Sequence, residues 1–255
     1  MHEQNIELRI EGDVATLRLR RPPGNLLDIA TIESINQALL SLRETAGLKV
    51  LVIRGAGDVF SDGFDLADHT SHRVQRMIQV FTRVFETMRM MPVVSLAAVE
   101  GRASGAGFEL ALGCNLFVAA ETATFALPQI KAGLLPPVAS AVLPRVAPRR
   151  RVMEWILTGN LISARRLEHD GVINRLFPED QFDTQLAGFV GEITSKSGPV
   201  LELAKRAQFE AYYGTFPDAL ASIQSLYLRE LMELEDARKG PEAHLAGRKP
   251  VWENR

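Results

Sequence analysis

Val99-Glu100-Gly101-Arg102-Ala103-Ser104-Gly105-Ala106-Gly107-Phe108-Glu109-Leu110 packs three glycines and three other small residues between an apolar run and a helix-like segment. The apolar run before it, residues 93–99, reads as a buried strand, and the glycine-rich turn at 101–107 leads into a helix. Small residues let a ligand approach the backbone, and a helix opening at Gly105–Gly107 aims free amides at whatever lies in front of it. Such amides suit a developing oxyanion. The same glycines also suit a plain strand-to-helix turn, so both readings stand at this point. No glycine follows three residues after Gly107, which fails the dinucleotide fingerprint, and the chain has no phosphate-binding lysine loop and no HExxH zinc pattern.

A second loop of this kind precedes it: Gly55-Ala56-Gly57-Asp58-Val59-Phe60-Ser61-Asp62-Gly63-Phe64-Asp65-Leu66, after a short buried strand at 50–53. Further out, 7–10 and 14–20 read as a hairpin joined by Glu11-Gly12-Asp13. Asp28 caps a helix running to about Ala46, and an amphipathic helix spans roughly 71–90 until Pro92 stops it. In that helix Met77, Phe81 and Phe85 recur at helical spacing, as core residues or as pocket lining. Residues 116–120 and 124–126 read as two more strands. From Arg149 onward helices dominate, one ending near Gly159, one capped by Ser163 and closed by Gly171, one opened by Pro178, and two more at 199–213 and 216–238.

Composition bounds the function. At 255 residues with 46% hydrophobic content the chain buries a proper core, and a net charge of -2 argues against a nucleic-acid partner. The clusters Arg149-Arg150-Arg151 and Arg248-Lys249 read as solvated ends. One cysteine, Cys114 in an apolar stretch, excludes an intramolecular disulfide and reads as a small buried hydrophobe. The start Met1-His2-Glu3-Gln4-Asn5 is unlike a signal peptide and no apolar run approaches a membrane span, so the expectation is a soluble, cytoplasmic protein.

The Val99–Leu110 loop, continued by Ala111-Leu112-Gly113-Cys114-Asn115, resembles the G-x-A-x-G-x-G-x-E-L-A signature of the enoyl-coenzyme A hydratase/isomerase (crotonase) superfamily. Three other segments agree in order. Arg21-Pro22-Pro23-Gly24-Asn25 is similar to the family's R-P-x-x-N turn, the Phe60–Leu66 loop to F-x-A-G-x-D-L, and Leu157-Thr158-Gly159-Asn160-Leu161-Ile162-Ser163-Ala164 to L-T-G-x-x-I-x-A. Within the family, Asn25-Leu26-Leu27-Asp28-Ile29-Ala30, Ala67-Asp68-His69-Thr70, Leu135-Pro136-Pro137-Val138-Ala139-Ser140 and Lys249-Pro250-Val251-Trp252 resemble cyclohexa-1,5-diene-1-carbonyl-CoA hydratases. The resemblance implies an α/β fold of the ClpP/crotonase type: a β-β-α spiral with two roughly perpendicular sheets over 1–195, and a helical trimerisation region over 196–255. It also implies a homotrimer or a hexamer of two trimers, with no bound cofactor and no metal, coenzyme A being part of the substrate.

Carried over by position, the family's oxyanion-hole amides fall on Phe64 and Ala106, the second usually a glycine. Coenzyme contacts fall on Arg21, Asn25, Leu26, Asp62 and Leu66. The lysine common after D-L is replaced by Ala67, so phosphate contacts are expected from Arg20, Arg21 or a neighbour's basic C-terminal tail. Of two catalytic glutamates the first is Glu109, but the second position holds Gln129, which holds a water and exchanges no proton. A lone Glu109 reads as a general base, or as a helix N-terminal charge favoured by the dipole. Glu100 reads as a second carboxylate or a solvated strand end; His69 and His72 read as helix-start residues. The implied activity is hydration or dehydration of an α,β-unsaturated acyl-CoA, linear or a cyclic dienoyl-CoA, by a lyase. The alternatives are double-bond isomerisation by one carboxylate and a catalytically weak acyl-CoA-binding paralogue.

Overall fold

A computed structural model of the chain describes residues 5–254, so Met1, His2, Glu3 and Gln4 lie outside the described residues. Strands β1 (Ile6–Glu11) and β2 (Val14–Leu19) form the predicted hairpin, antiparallel from Ile6↔Leu19 to Glu11↔Val14. Helix α1 (Ile29–Leu42) starts where expected, because the Asp28 carboxylate accepts from the Thr31 N–H at 2.7 Å. It stops short of Ala46, since the exposed Arg43 and Glu44 that follow Leu42 extend no apolar face.

The next segments repeat one plan. Each pair β3 (Val50–Gly55) and β4 (Val59–Ser61), β5 (Val94–Val99) and β6 (Arg102–Ser104), and β7 (Leu116–Ala120) and β8 (Thr124–Ala126) gives its first strand to one sheet and its second to another. Helix α2 (Val74–Met90) returns the chain after the first pair and α3 (Ala106–Leu112) after the second. A 3-10 turn (Pro128–Ala132) follows the third pair and leads to α4 (Pro137–Val146) and α5 (Arg149–Thr158). Then come β9 (Ile162–Ser163), α6 (Ala164–His169), β10 (Arg175–Phe177) and α7 (Phe182–Thr194). The larger sheet runs β1-β2-β3-β5-β7-β10 and is parallel beyond the hairpin; the smaller runs β4-β6-β8-β9. This is the expected crotonase-type β-β-α spiral. Strands β4 and β6 correct the sequence reading, which took both segments as loop.

Strands β5 and β7 bury nearly every residue, which explains their continuous apolar runs: each is covered on both faces. Met77 and Phe81 of α2 belong to that core, while Phe85 is only partly buried against it. Cys114 also packs against it, and burial pushes its thiol up to about 12.

Helix α8 (Gly198–Tyr213) follows α7. The single helix expected at 216–238 is instead α9 (Phe216–Arg229), a 3-10 turn (Leu231–Glu233) and α10 (Glu235–Leu245). An extended Leu234 makes the break and brings Asp236 under cover, where it accepts from the Glu253 and Asn254 N–H groups at 2.7 and 2.9 Å. Two more bonds tie the end of the chain to itself: Trp252 Nε1–H to the Ser195 carbonyl at 2.8 Å, and the Gly198 N–H to Asn254 Oδ1 at 2.9 Å. Arg248 and Lys249 are exposed, but the segment after them is held by its own chain.

Lys205 of α8 is buried and donates from Nζ to the carbonyls of Met88, Met91 and Val93 at 2.7, 2.8 and 2.8 Å. These carbonyls lie at and just beyond the end of α2, where a helix leaves its acceptors open. One ammonium from a distant helix closes them, and burial pulls it down to about 8.

Candidate active site

The small sheet assembles the site. Strands β4, β6 and β8 are parallel neighbours, with Ser61 opposite Ala103 and Ser104 opposite Ala126. Their carboxyl ends therefore open side by side, onto Asp62-Gly63-Phe64, Gly105-Ala106 and Leu127-Pro128-Gln129 in turn. Ligands of open α/β sheets bind outside such ends. Two glycines let the first two loops touch. A Cβ on Gly107 would stand 2.3 Å from the Ser61 carbonyl oxygen, and one on Gly63, whose φ is +100°, would stand 3.1 Å from the Ala106 nitrogen. Within the described residues neither the Phe64 nor the Ala106 N–H donates to a backbone carbonyl. Phe64 is held in place by the Leu27 bridge on one side and by the Phe81 ring, edge-on at 4.8 Å, on the other.

Glu109 lies one turn into α3 with 0% exposure. Its Oε1 accepts from the Val138 and Ala139 N–H groups at 2.7 and 2.9 Å, and its Oε2 from Gln129 Nε2 at 3.2 Å. Helix α4 begins Pro136-Pro137 and has no capping side chain of its own, so Glu109 caps it from another element. Burial raises the carboxyl to about 7, against the pull of the three donors toward the ionised form. A carboxyl poised there exchanges protons near neutral pH. The Gln129 side chain lies against Gly105, 3.5 Å from where a Cβ would be, and its Oε1 is buried with no partner among the described residues. Leaving such an acceptor open costs about 1–3 kcal/mol.

The other expected residues divide. Asn25, at a φ of 48°, uses its side chain internally: Oδ1 accepts from the Arg21 N–H, and Nδ2 donates to the Ala56 and Val59 carbonyls at 3.0 and 2.6 Å. It thereby fastens the 21–25 turn to the loop before β4. Arg21 pairs with Asp65 at 2.8 Å and Asp28 at 3.4 Å, and the Ala67 N–H, with that guanidinium second, holds the Asp65 carboxyl below the usual range. Asp62 is bridged twice by Arg102, at 2.6 and 2.8 Å, and its N–H bonds the Gly24 carbonyl, so it links the two loops. Leu26, next to Asn25 in sequence, is half-buried, and Leu66 is 64% exposed. Glu100 pairs with Arg54. His69 Nδ1 is buried without a partner among the described residues. Among the described residues no cluster of three or more His, Cys, Asp or Glu could hold a metal, and no helix is long and apolar enough to cross a membrane.

Sequence reasoning missed Arg102, the Val138 and Ala139 amides, and Lys205. A helix opened by proline with no Ser, Thr, Asp or Asn before it was the available hint that α4 takes its cap from elsewhere. A cavity of about 350 Å³ lies beyond Val138, walled by Phe85, Met88, Val142, Phe209 and Tyr212. The Phe64–Phe81–Phe85 edge-on ladder, at 4.8 and 4.9 Å, leads to it from the loop after β4.

A spiral of β-β-α units with paired amides at adjoining strand ends is the architecture of the crotonase class. A sequence model of the enoyl-CoA hydratase/isomerase family matches residues 9–255, and the chain belongs to that family. It is 31% identical to the mouse (Mus musculus) enoyl-CoA hydratase domain-containing protein 3, mitochondrial, over 89% of this chain and 77% of that one. It is 31% identical to the cyclohexa-1,5-dienecarbonyl-CoA hydratase of Thauera aromatica, over 97% and 96% of the two chains. The crystal structure of an enoyl-CoA hydratase of Mycobacterium smegmatis superposes with a TM-score of 0.93 at 26% identity, covering 98% of this chain and 99% of the other.

Proposed function

We propose that the chain is a hydro-lyase that adds water to, or removes it from, an α,β-unsaturated acyl-CoA. The observation that carries this is Glu109: a buried carboxyl at about 7, fixed by two amides and Gln129, one turn along α3 from Ala106. The thioester oxygen would take the Phe64 and Ala106 N–H groups. Glu109 removes a proton from water as its oxygen bonds the β-carbon, and charge collects on the thioester oxygen as an enolate. Glu109 then returns that proton to the α-carbon, while Gln129 orients the water without exchanging a proton. Arg21, Asn25, Leu26, Asp62 and Leu66 make up the coenzyme-facing rim in this reading, Arg21 and Asn25 by shaping it. The cavity beyond Val138 supports a compact acyl group, and the likeness to the Thauera enzyme favours a cyclic dienoyl-CoA.

The test is incubation in deuterated water with linear and cyclic enoyl- and dienoyl-CoA thioesters, read by mass spectrometry. Net addition of water is expected. Deuterium entry without addition would make the chain an isomerase, and tight binding without either would make it a binding paralogue. We also place it in the cytoplasm, which cell fractionation tests. A homotrimer, alone or stacked in pairs, is the proposed assembly, supported by exposed Phe216, Leu220, Tyr227 and Leu228 on α9 and Met232 just beyond it. Sedimentation at the 28.2 kDa of one chain would rule that out.

A further inference from the structure

We propose that Phe85 sets how large an acyl group the site accepts, and that Gly113 holds its ring in a retracted position that leaves room for a short-chain or single-ring acyl group. This rests on the acyl-CoA reading of the site. Met77, Phe81 and Phe85 follow one another along α2, but only the first two are core residues, at 0% and 2% exposure. Phe85 is partly buried against that core and lines the cavity of about 350 Å³ together with Gly113 and Val138. Val138 joins this cavity to the chemistry, because its N–H bonds Glu109 Oε1 at 2.7 Å.

Gly113 closes α3 at a φ of -80°, an ordinary helical value open to any residue. The backbone does not call for glycine there; the ring does. A Cβ on Gly113 would stand 2.2 and 2.3 Å from Phe85 Cδ1 and Cε1, far inside van der Waals contact. A methyl group at this position must therefore displace the ring. The Phe81 ring stands edge-on to Phe85 at 4.9 Å and closes one way out. The cavity is the space left, and a ring turned into it takes volume from the acyl group. A smaller side chain in place of Phe85 does the opposite and deepens the chamber. One substitution on each side of this contact thus moves acyl capacity in opposite directions.

The test uses saturated butanoyl-, hexanoyl-, octanoyl- and decanoyl-CoA, which have no double bond to hydrate, with coenzyme A itself as the reference. Each is titrated calorimetrically into the full chain, into Gly113→Ala and into Phe85→Leu. Every methylene that enters the chamber is expected to tighten binding about fourfold, the equivalent of about 0.8 kcal/mol, until the chain meets the ring. Gly113→Ala should bring that limit to a shorter chain and Phe85→Leu should carry it to a longer one, with the affinity for coenzyme A unchanged in both. Affinity that does not rise with chain length, a limit that stays put in either variant, or one that moves the same way in both would overturn the inference, while coenzyme A binding keeps the acyl-CoA reading intact. Failure of coenzyme A and of every thioester to bind would remove that reading and this inference with it.

Discussion

Glu109→Gln is expected to lower turnover by about 10²–10⁴-fold, the usual contribution of a positioned proton-transfer group. The substitution isolates chemistry from architecture. A glutamine carbonyl can still accept from the Val138 and Ala139 amides that cap α4, so the helix keeps its start. The ability to take and return a proton is what disappears. In the unsubstituted chain, hydration should rise with pH and level off above about 7, where Glu109 is ionised. Stability should move the other way. The folded carboxyl titrates at about 7 and the unfolded one near 4.5, so the unfolded chain holds fewer protons between these values and stability falls as pH rises across them. The gap corresponds to about 3 kcal/mol. Glu109→Gln should therefore melt higher than the unsubstituted chain at pH 8 and alike below pH 4.5. Unchanged turnover, or a rate with no limb near pH 7, would remove Glu109 from the chemistry.

Lys205→Met should cost about 1–3 kcal/mol of stability or more, read as a lower urea midpoint, the scale observed when a buried acceptor is left without its donor. Methionine keeps the length and apolar stem of lysine but offers no donor, so the Met88, Met91 and Val93 carbonyls lose their shared partner. Hydrogen bonds to a charged group are individually worth about 1.5–3 kcal/mol. The desolvation that pulls Lys205 down to about 8 offsets part of that sum. An unchanged midpoint would mean that water reaches these carbonyls and that α8 does not depend on them.

These two residues show how far a sequence carries. Glu109 was legible because its neighbours Gly105, Ala106 and Gly107 form a motif in one stretch of chain. Its bond to Gln129 was legible only as a family position, since 20 residues separate them and no periodicity joins them. Lys205 carries no signal in the sequence, because its partners are backbone atoms more than a hundred positions away. Strands β4 and β6, at three residues each, are too short to show alternation, and glycine beside them masked them as loop. The hairpin, α1 and the buried strands were legible for the opposite reason: their caps, turns and apolar runs are local. The break at Leu234 was not, because nothing in Leu231-Met232-Glu233-Leu234 opposes a helix until Asp236 is drawn under the returning chain end.

That return gives the chain a pair of built-in optical probes. It has two tryptophans: Trp155 sits in the core on α5, and Trp252 holds the fold-back through its indole bond to Ser195. Their intrinsic emission reports on different events, loosening of the spiral for one and undocking of the terminal segment for the other. A melt followed by fluorescence alone can therefore resolve whether the end of the chain lets go before the body does.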